Sequence, residues 1–518
     1  MMGTKARDFA PLVAASVEAL VPADHFYRQL ERTLDLAFVR ELVREYYKAG
    51  GRASIDPVVF FKLQLILFFE GLRSERQLMA VVADRLSLRW YLGYDLGERL
   101  PDHSSLTRIR ARYGLETFRR FFDHVVQLCI DAGLVWGEEF FFDATKVRAN
   151  AAMVSVAPRL REVVDSHLVD LFAPGEAAAS GASGAGGASA PTPDDPLGAP
   201  APVPLRGRES PQAGEGLAAA PPRWDLLEQC RLDPGRPATR GYERTGDWCV
   251  STTDPDAAPM KAAGQRAALG YHDHYVVDGG RARIILHALV TPADVMENAP
   301  MLDQLRRVQF RWRLRPARVV ADTTYGTVEN IRALEDQGIR AYVPLPDFDA
   351  RTRYFGSARF RYDGERDEYR CPHDQPLGRR ATSQTEEVVV YRAEAATCNA
   401  CALKSACTAS EHGRTVRRSF HEAYLDRVRG YHTTAAYRRA MRKRKVWPEP
   451  LFAEAKQWHG LRRFRLRGLR RVNTEGLLIA AGQNLKRWLS ATGWGRRHGP
   501  TGSLSIASQT NPLPIESH

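Results

Sequence analysis

The chain has 518 residues, of which 44% are hydrophobic and 26% charged, a composition typical of globular proteins with two or more domains. The formal net charge of +13 favours a polyanionic partner. No stretch reaches the roughly 18 to 20 apolar residues that span a membrane, and the N-terminus lacks a hydrophobic signal region. We therefore expect a cytoplasmic protein without a membrane partner, whose seven cysteines do not form structural disulfides.

The first predicted elements are helices, over about residues 24 to 130. Apolar residues recur at helical spacing in 57-PVVFFKLQLILFFEGL-72. Asp56 followed by Pro57 predicts an N-cap with proline in the first turn. This part of the chain is predicted to form a helical N-terminal domain.

A second strong helix signal is 101-PDHSSLTRIRARYGLETFRRFF-122, for which Ser104 or Ser105 is the predicted N-cap. Arg108 and Arg110 lie on this helix and are candidate DNA contacts. A solvated basic face is an equally good interpretation of the same residues.

A strand rich in aromatic residues, 139-EFFFDATKV-147, is predicted to end at Asp143. Beyond it the composition changes. Between about Pro174 and Pro222 the chain is mainly Ala, Gly, Pro and Ser, which cannot bury enough apolar surface to offset the entropy of ordering. We predict a disordered insert inside a domain, because strands resume after it.

Those later strands predict a mixed sheet. Two β-rich runs joined by Asp278-Gly279-Gly280 predict a hairpin. A helix, the strand 317-ARVVADTTYG-326, a second helix and the strand 340-RAYVPL-345 follow. Hairpin pairing first and parallel crossovers later is the order of ribonuclease-H-like folds, so we predict an α/β protein with such a core.

Three carboxylates are candidate metal ligands. Asp143 and Asp322 both end apolar strands, and ligands gather where strand ends share an edge. Glu449 and Lys456 are seven residues apart and so share one helix face. Such an oxygen-rich cluster suits two Mg²⁺ or Mn²⁺ ions, roughly 3.5 to 4 Å apart, in phosphoryl transfer. For Asp322, capping the following helix is the commoner role of an aspartate at a strand end.

The cysteines predict a second metal site. Cys371, Cys398, Cys401 and Cys407 fall in one polar region, and the Cys-x2-Cys pair has the spacing of a zinc knuckle. Four thiolates would complete a closed, structural Zn²⁺ site, which would fold a segment with little core of its own. A cluster of reduced, unliganded thiols is the alternative.

Two histidines, in 271-YHDHY-275, also share one face of a predicted strand. His272 and His274 could bind a metal. A partly exposed pair without a metal is the preferred interpretation.

Four motifs follow one another along the chain: 142-FDATKVRANAA-152, 252-TTDPDA-257, 319-VVADTTYGTVENI-331 and 449-EPLFAEAK-456. Three further blocks are 56-DPVVFFKLQLILFFEGLRSERQL-78, 101-PDHSSLTRIR-110 and 466-LRGLRRVNTEGLLIAAGQNLKRWL-489. In this order they resemble the DDE transposases of bacterial insertion sequences. The resemblance implies a ribonuclease-H-like catalytic core in which Asp143, Asp322 and Glu449 are the metal-binding triad. It also implies a phosphate contact for Lys456.

The sequence departs from that family near the glutamate. Relatives often carry a tyrosine and an arginine one and two turns earlier, where this chain has Arg442 and Lys445. Glu449 also stands between Pro448 and Pro450, which predicts a helix start or kink there.

The resemblance implies an enzyme that binds the inverted-repeat ends of its element, cleaves them and joins the 3′-hydroxyls to target DNA. Double-stranded DNA would be held by four basic residues, Arg442, Arg444, Lys445 and Lys456. The protein would associate with the nucleoid and would be at least a homodimer. The alternatives are a non-catalytic DNA-binding relative and a metal-dependent nuclease. The predicted units are a helical N-terminal DNA-binding domain (1–135), catalytic core (138–173, 223–346 and 421–492), insert (174–222), zinc-ribbon-like cysteine-rich insertion (347–420) and disordered tail (493–518).

Overall fold

The structure is a computed structural model that describes residues 15–47, 50, 54–158, 249–261, 266–346 and 352–494. The predicted disordered insert at 174–222 and the predicted tail from residue 495 onward lie outside the described residues.

The N-terminal part is helical, as predicted. Its helices are α1 (Val17–Leu20), α2 (Phe26–Thr33), α3 (Phe38–Leu42), α4 (Pro57–Phe69), α5 (Glu75–Asp84), α6 (Leu86–Leu92) and α7 (His103–Asp131). Asp56 caps α4 as predicted, because its Oδ1 accepts a hydrogen bond from the Val58 amide at 2.8 Å. The cap of α7 is Asp102 rather than Ser104 or Ser105, since the Asp102 carboxylate reaches the Ser104 amide at 2.8 Å.

A mixed sheet follows. Its segment of the chain contains β1 (Glu139–Arg148), β2 (Val156–Pro158), β3 (Cys249–Ser251), β4 (Ala258–Met260), β5 (Ala268–Asp278), β6 (Ile285–Pro292), α8 (Met301–Trp312), β7 (Arg318–Val320), α9 (Val328–Glu335) and β8 (Arg340–Tyr342). The main sheet has the order β6-β5-β1-β7-β8, and β4 also pairs with β5. The β5/β6 hairpin and the β1/β5 pair are antiparallel, whereas β1/β7 and β7/β8 are parallel. The predicted order of hairpin first and parallel crossovers later is confirmed.

The cysteine-rich region forms a separate antiparallel sheet. Its elements are β9 (Arg361–Asp363), β10 (Glu368–Arg370), β11 (Pro376–Ser383), β12 (Val388–Ala393), α10 (Ala395–Asn399), α11 (Lys404–Cys407) and β13 (Thr415–Ser419). The sheet order is β13-β12-β11-β10-β9, and a small hydrophobic cluster of its own packs against it.

Four α-helices follow, α12 (Glu422–His432), α13 (Ala435–Arg444), α14 (Glu449–Trp458) and α15 (Leu469–Leu489), and a π-helical segment, Ser490–Trp494, ends the described chain. Helix α15 packs against α4 and α7 on one side and against β6 on the other. Gly482 allows the close approach to α4, since a Cβ there would lie about 2.5 Å from the ring of Phe68. The N-terminal helices and the main sheet therefore share one continuous hydrophobic core.

The 252-TTDPDA-257 motif fixes the start of α15. Asp254 accepts hydrogen bonds from the Tyr271 hydroxyl at 2.7 Å and from the Gly468 amide at 3.0 Å. Asp256 accepts one from the Leu469 amide at 2.7 Å. Two carboxylates thus satisfy amide groups that a helix N-terminus leaves without intrahelical partners. This long-range capping gives the motif a structural role.

Candidate active site

Asp143 and Asp322 lie on neighbouring parallel strands. The last paired residues of β1 and β7 are Phe141 and Val320, and each aspartate follows two residues later. Asp143 is buried, being 9% exposed. Contrary to prediction, it does not end its strand, because β5 continues to pair with β1 as far as Arg148.

One guanidinium joins the two aspartates. Arg444, the last residue of α13, places its Nη2 3.2 Å from Oδ1 of Asp143 and 3.4 Å from Oδ2 of Asp322. Only 14% of the arginine side chain is exposed. The other oxygen of Asp322 accepts a hydrogen bond from the Thr324 amide at 2.9 Å. Asp322 therefore caps the following turn and faces the acidic site at the same time.

Burial dominates the electrostatics of Asp143. It raises the pKa of this carboxyl to about 6, against the opposing effect of the Arg444 charge. The negative charges of Asp322 and Glu449 raise it further. The three carboxylates therefore lie near enough to repel one another.

Glu449 begins α14, as predicted, and the prolines on either side are accommodated in the first turn. The glutamate is exposed. In the part of the chain that the structure describes, no group of three or more His, Cys, Asp or Glu side chains is arranged to hold a metal ion. Asp143, Asp322 and Glu449 are thus near enough to interact electrostatically, but they are not closed around a common point.

Lys456 turns back toward the sheet. Its Nζ donates a hydrogen bond of 2.5 Å to Oγ1 of Thr145, which follows Asp143 on the same face of β1. Burial lowers the pKa of Lys456, and the negative charges of Asp273 and Asp143 act in the opposite direction. The lysine that sequence analysis linked to Glu449 therefore lies beside the aspartates.

The other predicted DNA contacts divide into exposed and buried side chains. Arg108, Arg442 and Lys445 are exposed. Arg110 is only 5% exposed and pairs with Glu75, which also contacts Arg465. The expectation for Arg110 is corrected, because a guanidinium buried in an ion pair does not face a DNA backbone.

Sequence analysis missed a further carboxylate, Glu297. Burial raises its pKa, and the charge of Asp322 adds to this effect. The pKa of the buried Tyr325 hydroxyl is raised by burial and by the charges of Asp143, Glu297 and Asp322. Glu297 follows the carboxyl end of β6, which runs parallel to β1, so its position after a strand could have signalled the site.

The two histidines of β5 are not exposed, contrary to expectation. His272 and His274 are 4% and 1% exposed. The Nδ1 of His272 lies 3.1 Å from the Val295 carbonyl, and its Nε2 lies 3.5 Å from Oε1 of Glu297. Burial lowers the pKa of His272 to about 4, so the imidazole is neutral near pH 7.

The four cysteines of the second sheet line one pocket. The Cys371 sulfur accepts hydrogen bonds from the His373 and Gln375 amides, each at 3.3 Å, and the Cys401 sulfur accepts one from the Leu403 amide at 3.4 Å. Burial raises the pKa of Cys407, and negative charge on the other three cysteines, Cys371, Cys398 and Cys401, raises it further. Four thiolates here would require a cation.

Fold and site together define an α/β protein with a mixed, hairpin-first sheet and two aspartates just beyond the last paired residues of its parallel strands β1 and β7. Residues 15–112 match the family model of a transposase domain (DUF772), and residues 370–489 match that of a transposase DDE domain. The two matches indicate a DDE-type transposase of an insertion sequence, which is an enzyme. The DDE-domain match implies that the mixed sheet is a ribonuclease-H-like core.

The DDE-domain match includes Arg444, Glu449 and Lys456, but it begins after Asp143 and Asp322. No curated protein and no solved structure matches the chain. None of the helices within the described residues is long and apolar enough to cross a membrane.

Proposed function

We propose that this transposase binds the inverted-repeat ends of its element, hydrolyses a phosphodiester at each end and joins the freed 3′-hydroxyls to target DNA. The observation that carries the proposal is the single guanidinium shared by Asp143 and Asp322. The two carboxylates carry two negative charges and share one positive charge. A divalent ion bound at this site would balance both carboxylates.

The family implies divalent metal ions, and the side chains fit Mg²⁺ or Mn²⁺, since all the candidate ligands are carboxylates. Asp143 and Asp322 would hold two ions, and Glu449 would complete the second. When bound, such ions lower the pKa of the attacking water and stabilise the leaving oxygen of the phosphodiester. Arg444 already supplies one positive charge to the two aspartates, which leaves one negative charge unmatched and supports the requirement for a cation.

Double-stranded DNA would lie across this edge of the sheet. Arg442 and Lys445 are exposed within two residues of Arg444, which contacts both aspartates, and Arg108 is exposed on α7. Lys456 would contact a phosphate next to Asp143. Neutralising several phosphates releases counterions, so binding would weaken steeply with salt. Joining two ends calls for at least a homodimer, which would act at the nucleoid.

We also propose a structural Zn²⁺ bound by Cys371, Cys398, Cys401 and Cys407. Amide groups already donate to two of the four sulfurs, an arrangement that stabilises thiolates. Bound zinc would join β10 to the helices after β12 and give this small sheet a zinc-ribbon-like centre.

The test is metal-dependent cleavage and joining of DNA that carries the repeats flanking the coding region. Asp322→Asn should retain DNA binding and lose cleavage, with Asp84→Asn at the exposed end of α5 as matched control. Cleavage retained by Asp322→Asn would remove this residue from the catalytic set. Binding without cleavage by the wild type would indicate a non-catalytic relative, and cleavage without joining would indicate a nuclease.

A further inference from the structure

Arg444 occupies the place in which a metal ion would neutralise the aspartates. Its Nη2 contacts one oxygen of Asp143 and one of Asp322. A guanidinium and a divalent cation cannot both lie between the same two carboxylates, because they would overlap and repel each other. Entry of a metal therefore requires that Arg444 leave.

The hydrogen bonding of the Arg444 guanidinium is incomplete. Its Nε is buried and has no hydrogen-bond partner among the residues that the structure describes. A buried N–H without a partner is costly, so the contact depends mainly on the charge of the two carboxylates. An alternative partner with strong negative charge, such as a phosphodiester, can compete for this side chain, since guanidinium groups bind phosphate in a bidentate fashion.

The backbone on either side of Arg444 is anchored. Lys443 contacts the Glu139 carboxylate and donates to the Gly279 carbonyl at 2.6 Å. The Trp447 indole donates to the Asp278 carbonyl at 3.1 Å. These side-chain contacts hold both flanks of Arg444, so its departure from the aspartates would involve its side chain rather than a shift of the helix.

The same short segment leads to Glu449. Only four residues, Lys445 to Pro448, separate Arg444 at the end of α13 from Glu449 at the start of α14. Glu449 is exposed and outside any formed metal site in the described chain. Departure of Arg444 removes a cation from the site, and a metal ion in its place attracts the nearby glutamate.

We propose that Arg444 is a place-holder cation that keeps metal out of the active site until DNA draws the guanidinium onto a phosphate. This inference rests on the proposed metal-dependent function. DNA and metal then bind with positive coupling, and the coupling is reciprocal, so metal strengthens DNA binding by the same factor. Cleavage chemistry is thereby confined to protein that already holds DNA.

The test is Mn²⁺ binding to the full chain, measured by electron paramagnetic resonance without DNA. Arg444→Met should bind Mn²⁺ about tenfold or more tightly than wild type, since one competing charge is removed. Arg439→Met, at an exposed arginine of the same helix, should behave as wild type. Arg444→Gln serves as a second variant, and urea unfolding verifies that each variant is folded. Equal affinities for wild type and both Arg444 variants would overturn the inference.

The double variant Arg444→Met/Asp322→Asn distinguishes a failure of the proposed function from a failure of the Arg444 role alone. It should lose the Mn²⁺ bound by Arg444→Met. If Mn²⁺ stays bound, the ion is not held at this edge and the proposed function fails together with the inference. If Mn²⁺ binding depends on Asp322 but is insensitive to Arg444, the place-holder role alone fails.

A final measurement adds DNA containing the repeats. Wild-type affinity for Mn²⁺ should rise, and the rise should be smaller in Arg444→Met. An equal rise in both proteins would contradict the coupling through Arg444.

Discussion

Arg444 Nη2 lies 3.2 Å from the buried carboxylate of Asp143. The residues come from distant parts of the chain, one from a helix end and the other from the middle of the first strand of the sheet. Their contact partly offsets the cost of burying Asp143 without abolishing it, since the pKa of Asp143 remains raised. The metal-free site is therefore a source of instability, and this has measurable consequences.

Asp143→Asn is expected to stabilise the metal-free protein at neutral pH. The pKa of Asp143 rises from 3.8 to about 6 on folding, so its carboxyl favours the folded state only when protonated. This favourable contribution is present below about pH 4 and is lost as pH rises through 6. At pH 8 the variant should gain about 3 kcal/mol in free energy of unfolding, and the gain should vanish near pH 3.5. Urea unfolding in EDTA measures both values, with Asp84→Asn as control.

The opposite result would be equally informative. A variant less stable than wild type at pH 8 would mean that the Arg444 contact outweighs the burial of Asp143. In that case a DNA phosphate alone would not be expected to release Arg444 from the aspartates.

Arg108 and Arg110 should respond differently to substitution. Arg108→Met removes an exposed charge and should lower the slope of log affinity against log salt by about 1 if this side chain contacts a phosphate. Arg110→Met should leave that slope unchanged. Instead, it should lower the free energy of unfolding by about 1 to 3 kcal/mol, because the buried Glu75 carboxylate loses its buried partner Arg110 and keeps the more exposed Arg465 and Thr107. A reduced slope for Arg110→Met would show that the buried ion pair opens on DNA.

Cys398→Ser should remove bound zinc and loosen the cysteine-rich sheet. We expect one Zn²⁺ per wild-type chain by elemental analysis and none in the variant, since three ligands rarely retain structural zinc. Limited proteolysis should then cut within residues 352–419 before the rest of the described chain. Cys249→Ser, outside this sheet, is the control. If purified wild-type protein contains no zinc and the two variants resist the protease equally, the four cysteines are reduced, unliganded thiols.

Gly482→Ala tests whether the N-terminal helices and the catalytic sheet unfold together. Alanine has the higher helix propensity, yet its Cβ would overlap the ring of Phe68. We expect a net loss of about 1 to 3 kcal/mol, with a single unfolding transition for near-ultraviolet and far-ultraviolet circular dichroism. Gly430→Ala, at a helical glycine with open space around it, should be neutral or stabilising. Two separate transitions would indicate independently folding units.

Local features were determined by the sequence itself. Hydrogen bonding within a few residues explains the Asp56 cap, the Gly279-Gly280 hairpin and the helix start at Glu449. The strand order follows from the short connections between elements that are neighbours in the chain. The resemblance to DDE transposases, carried by short motifs, pointed to Asp143, Asp322 and Glu449 as candidate metal ligands.

Tertiary structure decided how charged groups are paired. Local sequence gives Arg108 and Arg110 the same appearance, yet one is exposed and the other buried against Glu75. The position of Arg444 between two aspartates depends on how α13 packs beside β1, across about 300 residues of chain. Ion pairing and burial depend on distances that only the packed fold creates, and those distances decide whether a basic residue faces DNA, a metal site or the protein core.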